Sequence, residues 1–383
     1  MFHVIMPADR MTKRELLRYA GAGLGVAGIS SLAGCSGGGD GSSDNGDGGG
    51  DGGGDDSSNA SEEDNTQSTP QGPLNDDPLT YIIPEGQLDI PIFLATTQEG
   101  IWRDRRLKIN PKVTSFGKYA RGLTTGDSRI GSVNASIFNS AQNQDQDVLI
   151  FGANLQQLNS VFVRSDSDIE SPADLESRKV GVPFWSSGTT KTVASMIYDE
   201  FDIHLEDDTR AKSAPPAVLW EQLVSKEELD AIVEFTGFTI KGLGNPDKVR
   251  EIMSARKFWK DRTGYPSLVT MFAARGDYIR ENPDVARNFL EGWNASVEYT
   301  KNNLQEVFDQ FGLLAGLESD AEFEVALDQF ESGNVTVGDP AEWNQDLIDA
   351  QFQLFEAMNE AGFTEGVPTK NDSRITYSEL QDL

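Results

Sequence analysis

The side chains best suited to chemistry stand in short loops of small and hydroxyl residues. Phe184-Trp185-Ser186-Ser187-Gly188-Thr189-Thr190 follows a buried-strand run, Lys179-Val180-Gly181-Val182-Pro183, and precedes a helical run through Val193, Ala194, Met196 and Ile197. Small residues there let backbone N–H groups approach a ligand, and a helix N-terminus favours an anionic or electron-rich group. Plain helix capping by Ser and Thr would give the same pattern. Glu85 with Gly86, and Ser132 with Asn134, form two further loops. Opposite them are Glu234 and Phe235, at the carboxyl edge of the strand-like run 229–235, where open α/β sheets bind ligands. In this reading Trp185 and Phe235 supply apolar faces, Glu234 meets a donor on the ligand, and Tyr265 stands near a chain crossing beside the site. The competing reading packs Trp185 and Phe235 in a core and pairs Glu234 with a lysine or arginine.

This set is suited to holding a ligand, not to turning one over. His3 and His204 are the only histidines. The chain has no paired-histidine zinc motif, nucleophile elbow or phosphate-binding P-loop, so no catalytic residue, metal or cofactor is expected. Gly21-Ala22-Gly23-Leu24-Gly25 mimics a dinucleotide fingerprint but follows no strand. The net charge of −30 argues against nucleic acid as a partner and suits a solvated surface in very high salt, where self-repulsion is screened.

Cys35, the single cysteine, ends Leu32-Ala33-Gly34-Cys35. Upstream are a basic start (Lys13, Arg14, Arg18) and a short glycine-rich apolar run, the parts of an export signal ending in a lipobox. The apolar run is shorter than the roughly 20 residues a membrane-spanning helix needs. Residues 1–35 are therefore expected to be a signal, with Cys35 lipidated as the anchor. Lys13-Arg14 resembles a twin-arginine signal with lysine in the first place, which leaves Sec export open. Residues 36–78, rich in Gly, Ser and Asp, are expected to be a disordered tether with a reach of roughly 36 Å, enough to let a body dock on a membrane-embedded partner.

The remaining residues alternate strand-like and helix-like runs. Leu79–Ile83, Leu107–Val113, Arg129–Asn134, Ser160–Arg164, 179–183, 229–235 and 268–274 read as strands. Helical runs lie between several of them, and long helices come last, with Phe289, Trp293, Phe352 and Phe355 in core stripes. Such alternation is the signature of βαβ units and a parallel sheet.

Several stretches resemble the solute-binding proteins of ABC importers, in the nitrate, sulfonate, taurine and thiamine-precursor class. They are Val161-Phe162-Val163-Arg164 with Ile169, Ser171 and Asp174-Leu175; Lys179 to Pro183; Pro91 to Ala95 with Glu99-Gly100-Ile101-Trp102; and Asn282-Pro283. Arg129 and Arg106 depart from the family pattern. The resemblance implies an α/β, type II periplasmic-binding-protein fold: two doubly wound lobes joined by a two-segment hinge, with C-terminal helices. Lobe I would comprise 79–165 and 267–383, and lobe II 166–266, with hinges near 163–165 and 265–269. It implies a monomer that captures a small molecule and delivers it to a permease with separate ATPase subunits. The departures at Arg129 and Arg106 keep the substrate from being carried over; the apolar faces of Trp185 and Phe235 with the carboxylate of Glu234 instead favour an organic molecule, an aminosulfonate or a thiamine-precursor-like N-heterocycle. A small-anion binder such as one for nitrate, or a secreted enzyme on the same fold, are the alternatives.

Overall fold

Two lobes organise the chain, the first with a two-stranded and a three-stranded sheet and the second with one five-stranded sheet, and the chain passes from one lobe to the other and back. The structure, a computed structural model, describes residues 72–370 and 372–383; Cys35, the expected signal and tether residues 36–71 lie outside the described residues. The last part of the expected tether, 72–78, is instead tied to the body. Asn75 is buried, its Nδ2 donating to the carbonyls of Asp77 (2.7 Å) and Lys108 (2.9 Å), while its Oδ1 accepts from the Lys108 N–H (3.0 Å). One satisfied buried amide holds a segment with little apolar surface of its own.

The first part of the chain builds β1 (Leu79–Pro84), α1 (Asp89–Glu99), β2 (Ile109–Thr114), α2 (Phe116–Arg121), β3 (Ile130–Val133), α3 (Ala135–Asn143) and β4 (Val148–Gln156). Then come β5 (Ser160–Arg164), β6 (Val180–Val182), α4 (Gly188–Phe201), β7 (Lys212–Ser213), α5 (Pro216–Val224), β8 (Ala231–Glu234), α6 (Thr236–Leu243) and β9 (Val249–Ser254). After them follow α7 (Ala255–Thr263), β10 (Leu268–Arg275), α8 (Pro283–Asn302) and α9 (Gln345–Glu360), with shorter helices between.

In the first lobe β1 pairs in parallel with β2, and β10 lies antiparallel between β3 and β4. Ser128 Oγ donates to the Thr80 carbonyl (2.7 Å), fastening β1 beside β3. The sheet of the second lobe has the order β7-β6-β8-β5-β9, with β6 parallel to β7 and β8, and β5 antiparallel to β8 and β9. The expected parallel pairing therefore holds for strands linked through helices, and not for β5 and β10. Those two strands arrive from the other lobe without a helical crossover on their own sheet, so they enter reversed.

β4 belongs to the first lobe and β5 to the five-stranded sheet of the second, so the outward crossing is residues 157–159. This corrects the hinge expected near 163–165: Val163 is already paired with both Ala231 and Arg250 inside the second-lobe sheet. The return crossing runs through 264–267, where the Gln157 N–H donates to the Ser267 carbonyl (2.9 Å) and ties the two crossings together.

Each sheet is covered on both faces. In the first lobe an aromatic cluster of Tyr81, Phe93, Trp102, Phe272, Phe289 and Trp293 fills one side, with Phe93 and Trp102 stacked at 5.3 Å. Phe138, Phe352 and Phe355 fill the other. In the second lobe Val193, Met196, Ile197 and Trp259 pack one face, and Leu219, Leu223 and Ile232 the other. α9 bridges the lobes: Phe352, Phe355 and Met358 pack in the first, while Leu354 packs in the second and the Ala350 carbonyl accepts from Trp259 Nε1 (3.2 Å). The C-terminal helices thus do not belong to lobe I alone.

Candidate functional site

A cleft of about 420 Å³ opens between the two lobes at the carboxyl edges of β1, β6 and β8. Its first-lobe wall is Pro84, Glu85, Gly86 and Gln87, which leave β1, together with Phe116 at the start of α2. Across from it stand Phe184, Ser186, Ser187 and Thr189 after β6, Pro216, and Phe235, Thr236 and Gly237 after β8. Asn159 and Val269, from the crossing segments, also line it. Strands that run toward one edge release their chains there, so loops distant in sequence converge at that edge.

The loop after β6 is held by its own hydroxyls. Thr190 Oγ1 donates to the Pro183 carbonyl, the Ser187 N–H donates to the Phe184 carbonyl (2.8 Å), and Thr192 Oγ1 donates to the Gly188 carbonyl (2.8 Å). Phe184 takes φ +48°, an unfavourable conformation for a bulky residue, and its ring is 45% exposed at the cleft. Phe116 is equally exposed on the opposite side. Two half-exposed rings, one from each lobe, give the cleft an apolar mouth.

Six of the residues singled out from the sequence meet in this cleft: Glu85, Gly86, Ser186, Ser187, Thr189 and Phe235. Trp185 does not; it packs against the second-lobe core and stacks on Phe363 with centroids 6.3 Å apart, so the apolar wall expected of it comes from Phe184. Tyr265 is also outside, its hydroxyl donating to Asp346 Oδ2 (3.1 Å) on α9. Ser132 is buried inside β3, its Oγ donating to the Tyr119 hydroxyl (3.4 Å).

Glu234 lies beneath the wall, fully buried, and neither carboxylate oxygen has a hydrogen-bond partner. Burial pushes its pKa well above the usual carboxylate range, and the nearby Phe235 N–H and Lys241 charge offset only part of that. It forms no ion pair with lysine or arginine among the described residues, so the pairing of the competing reading is not made. Beside it, Asn159 Nδ2 donates to the Glu234 carbonyl (3.0 Å), leaving its buried Oδ1 without a partner at the cleft floor.

Asn134 and Gly188 line a second cavity of about 380 Å³, which shares Phe116 and Ser186 with the first. Asn134 Oδ1 caps α3 by accepting from the Ile137 N–H (2.9 Å). Gly188 opens α4 directly against it: a Cβ at Gly188 would stand 2.7 Å from Asn134 Oδ1 and 2.9 Å from Ser136 Cβ. The lobes touch here. Phe116, Arg121, Asn159 and Pro216 escaped the sequence reading; only the α2 start, two residues beyond the end of β2, carried a local signal for Phe116.

Two lobes, each built of sheet covered by helices and joined by paired crossings with the cleft between them, define a periplasmic-binding-protein fold. The chain belongs to the NMT1/THI5-like family, whose model matches residues 106–307. Solved structures share the fold. The periplasmic aliphatic sulphonate binding protein SsuA from Escherichia coli is 16% identical, with a TM-score of 0.63 over 77% of this chain and 92% of that one. The alkanesulfonate-binding protein SsuA from Xanthomonas axonopodis pv. citri, bound to MOPS, is 12% identical, with a TM-score of 0.59 over 80% of this chain and 100% of that one. A Candida albicans gene product with the generic periplasmic binding protein fold is 13% identical, with a TM-score of 0.56 over 78% and 97%. No curated protein matches the sequence.

Proposed function

We propose that this chain is an extracytoplasmic solute-binding protein. It captures a small organic molecule between its lobes, without turnover, and hands it to an ABC import permease with separate ATPase subunits. The observation that carries this is the cleft itself: both lobes contribute loops to it, and Phe116, Phe184 and Phe235 give it an apolar surface that a bare inorganic ion such as nitrate would leave unused. An aminosulfonate or an N-heterocycle of the thiamine-precursor kind suits such a wall. Family membership supports the same class, and so do two sulfonate-binding proteins of the same fold. The moving bodies are built on 79–156 with 268–302 and on 160–263, pivoting at 157–159 and 264–267, with α9 packed against both. The protein acts as a monomer, and binding shifts its population toward the closed form.

MOPS is the first probe, followed by taurine, nitrate and pyrimidines, all in molar salt. A solute at 100 times its Kd is expected to add about 2.7 kcal/mol of stability. Small-angle scattering should show a more compact body, and the solute should be recovered unchanged. Conversion to product would favour an enzyme, and a body that compacts with no member of a broad solute panel would overturn the reading.

Cys35 is proposed as the lipid anchor, with the segment between it and residue 72 as the tether. Among the described residues no helix is long and apolar enough to cross a membrane. Intact-mass analysis of membrane-purified protein is expected to show lipidated Cys35 at the N-terminus. A Cys35→Ser variant still firmly membrane-bound would count against it.

A further inference from the structure

We propose that Phe363, outside the cleft and just beyond the end of α9, is a positioning residue for solute capture: it sets the cleft loop 184–190 from behind and ties that loop to the other lobe. The inference takes the closing of the lobes from the solute-capture reading and adds the residue that prepares one wall for it.

A helix stop places Phe363. Gly362 takes φ +74°, and the Phe363 N–H donates back to the Met358 carbonyl (2.9 Å), so the chain turns sharply out of α9. The Phe363 ring then enters the second-lobe core. It stacks on Trp185 (centroids 6.3 Å apart, 9° between planes) and on His204 (5.0 Å, 14°), while its carbonyl accepts from Lys191 Nζ (2.8 Å). Trp185 and Lys191 stand on either side of the cleft-lining Ser186, Ser187 and Thr189, so one residue grips the loop at both ends. The loop needs that grip. Phe184 holds a left-handed backbone that a bulky residue keeps only where its surroundings fix it, and Trp185 is its immediate neighbour.

Two residues further on, the Glu365 carbonyl accepts from Asn139 Nδ2 (3.1 Å) and Asn143 Nδ2 (2.5 Å) on α3 of the first lobe. Thr364 alone separates the two attachments, so this strap has no slack: α3 cannot part from the cleft loop without releasing one of them. The hydrogen bonds yield first, because water replaces them, whereas an exposed ring gains no such replacement. The Glu365 end therefore makes and breaks with the meeting of the lobes, and the Phe363 end stays with the loop.

The test uses the mature chain, with thermal melting as the check that each variant folds, and its first reading needs no solute. Amide hydrogen exchange is followed at Ser187 and Lys191, whose N–H groups close the loop onto the Phe184 and Ser187 carbonyls (2.8 and 3.1 Å). Both amides are expected to exchange at least tenfold faster in Phe363→Leu and within threefold of the parent in Phe363→Tyr, with the amides of β5 and β8 unchanged. Lys191→Met, at a half-buried position, removes only the bond to the Phe363 carbonyl and should speed the same two amides at least threefold. Parental rates in Phe363→Leu or Lys191→Met, or equal acceleration through β5 and β8, would overturn the positioning role. Asn143→Ala, at an exposed position, cuts one bond at the first-lobe end; it should leave the loop amides at the parental rate and weaken MOPS and taurine roughly three- to tenfold by calorimetry. Parental affinity in Asn143→Ala would overturn the tie between the lobes. A parent that takes up neither solute, nor nitrate, would count against solute capture, while the exchange rates still decide what Phe363 does to the loop.

Discussion

Asp89→Asn is expected to stabilise the protein by about 3 kcal/mol above pH 7 and to change little near pH 4. Asp89 is the first residue of α1, just behind the cleft residue Gln87, and it is 2% exposed. Its Oδ2 accepts from Asn154 Nδ2 (3.2 Å), which also stands 3.1 Å from Thr270 Oγ1, while its Oδ1 has no partner. Burial raises its pKa from 3.8 to about 6, and the Asn154 hydrogen bond opposes this without cancelling it. A raised acid binds its proton in the folded state over a range where the unfolded chain has already released it. Stability is therefore fullest below about pH 3.8 and is lost as pH rises through about 6. The loss is the shift of about 2 units at 1.36 kcal/mol each, hence about 3 kcal/mol. Asparagine keeps the shape and removes the ionisation, so its advantage should appear across that window. Urea unfolding of both proteins at pH 4 and pH 8, in the same salt, measures it. A variant less stable than the parent at pH 8 would mean that the ionised carboxylate has a counter-charge the cluster does not reveal.

How far the sequence could be read depended on whether a residue's role was local. The strand, loop and helix from Val180 to Phe201 follow one another in the chain, so their order and the convergence of Ser186, Ser187 and Thr189 at a strand edge were legible. β4 was not. Val148 to Gln156 is buried at every position, so it shows no polar alternation, and Gly152 interrupts its apolar run. That glycine makes sense only in three dimensions, because a Cβ there would stand 2.4 Å from Leu290 Cδ2 on α8. Missing β4 displaced the crossing into β5.

The choice between neighbouring residues was equally out of reach. Phe184 and Trp185 have the same apolar character, and the left-handed backbone at Phe184 sends its ring to the cleft while Trp185 turns to Phe363. Glu234 and Phe235 divide in the same way, Phe235 on the wall and Glu234 beneath it. Arg121 gave no signal, since its setting is made by α3 and by the far lobe.

Gly188→Ala should weaken solute binding about 5- to 100-fold without lowering the melting temperature of the unliganded protein. Within its own lobe the change is tolerated: Gly188 is the first residue of α4 and is not among the left-handed glycines, so alanine fits its backbone. Between the lobes it is not. The added methyl would stand 2.7 Å from Asn134 Oδ1 and 2.9 Å from Ser136 Cβ, and neither neighbour yields cheaply. Asn134 cannot rotate away without releasing the Ile137 N–H it caps, and Ser136 is held in the first turn of α3. Overpacking of this kind costs about 1–3 kcal/mol, and it falls only on the state in which the lobes meet. The open form is spared, so the equilibrium moves away from closure and the lost free energy appears as lost affinity. Calorimetry with a solute that binds the parent, paired with small-angle scattering, separates this from damage to the fold. Parental affinity and full compaction in Gly188→Ala would show that the contact between Gly188 and Asn134 is not part of the bound state.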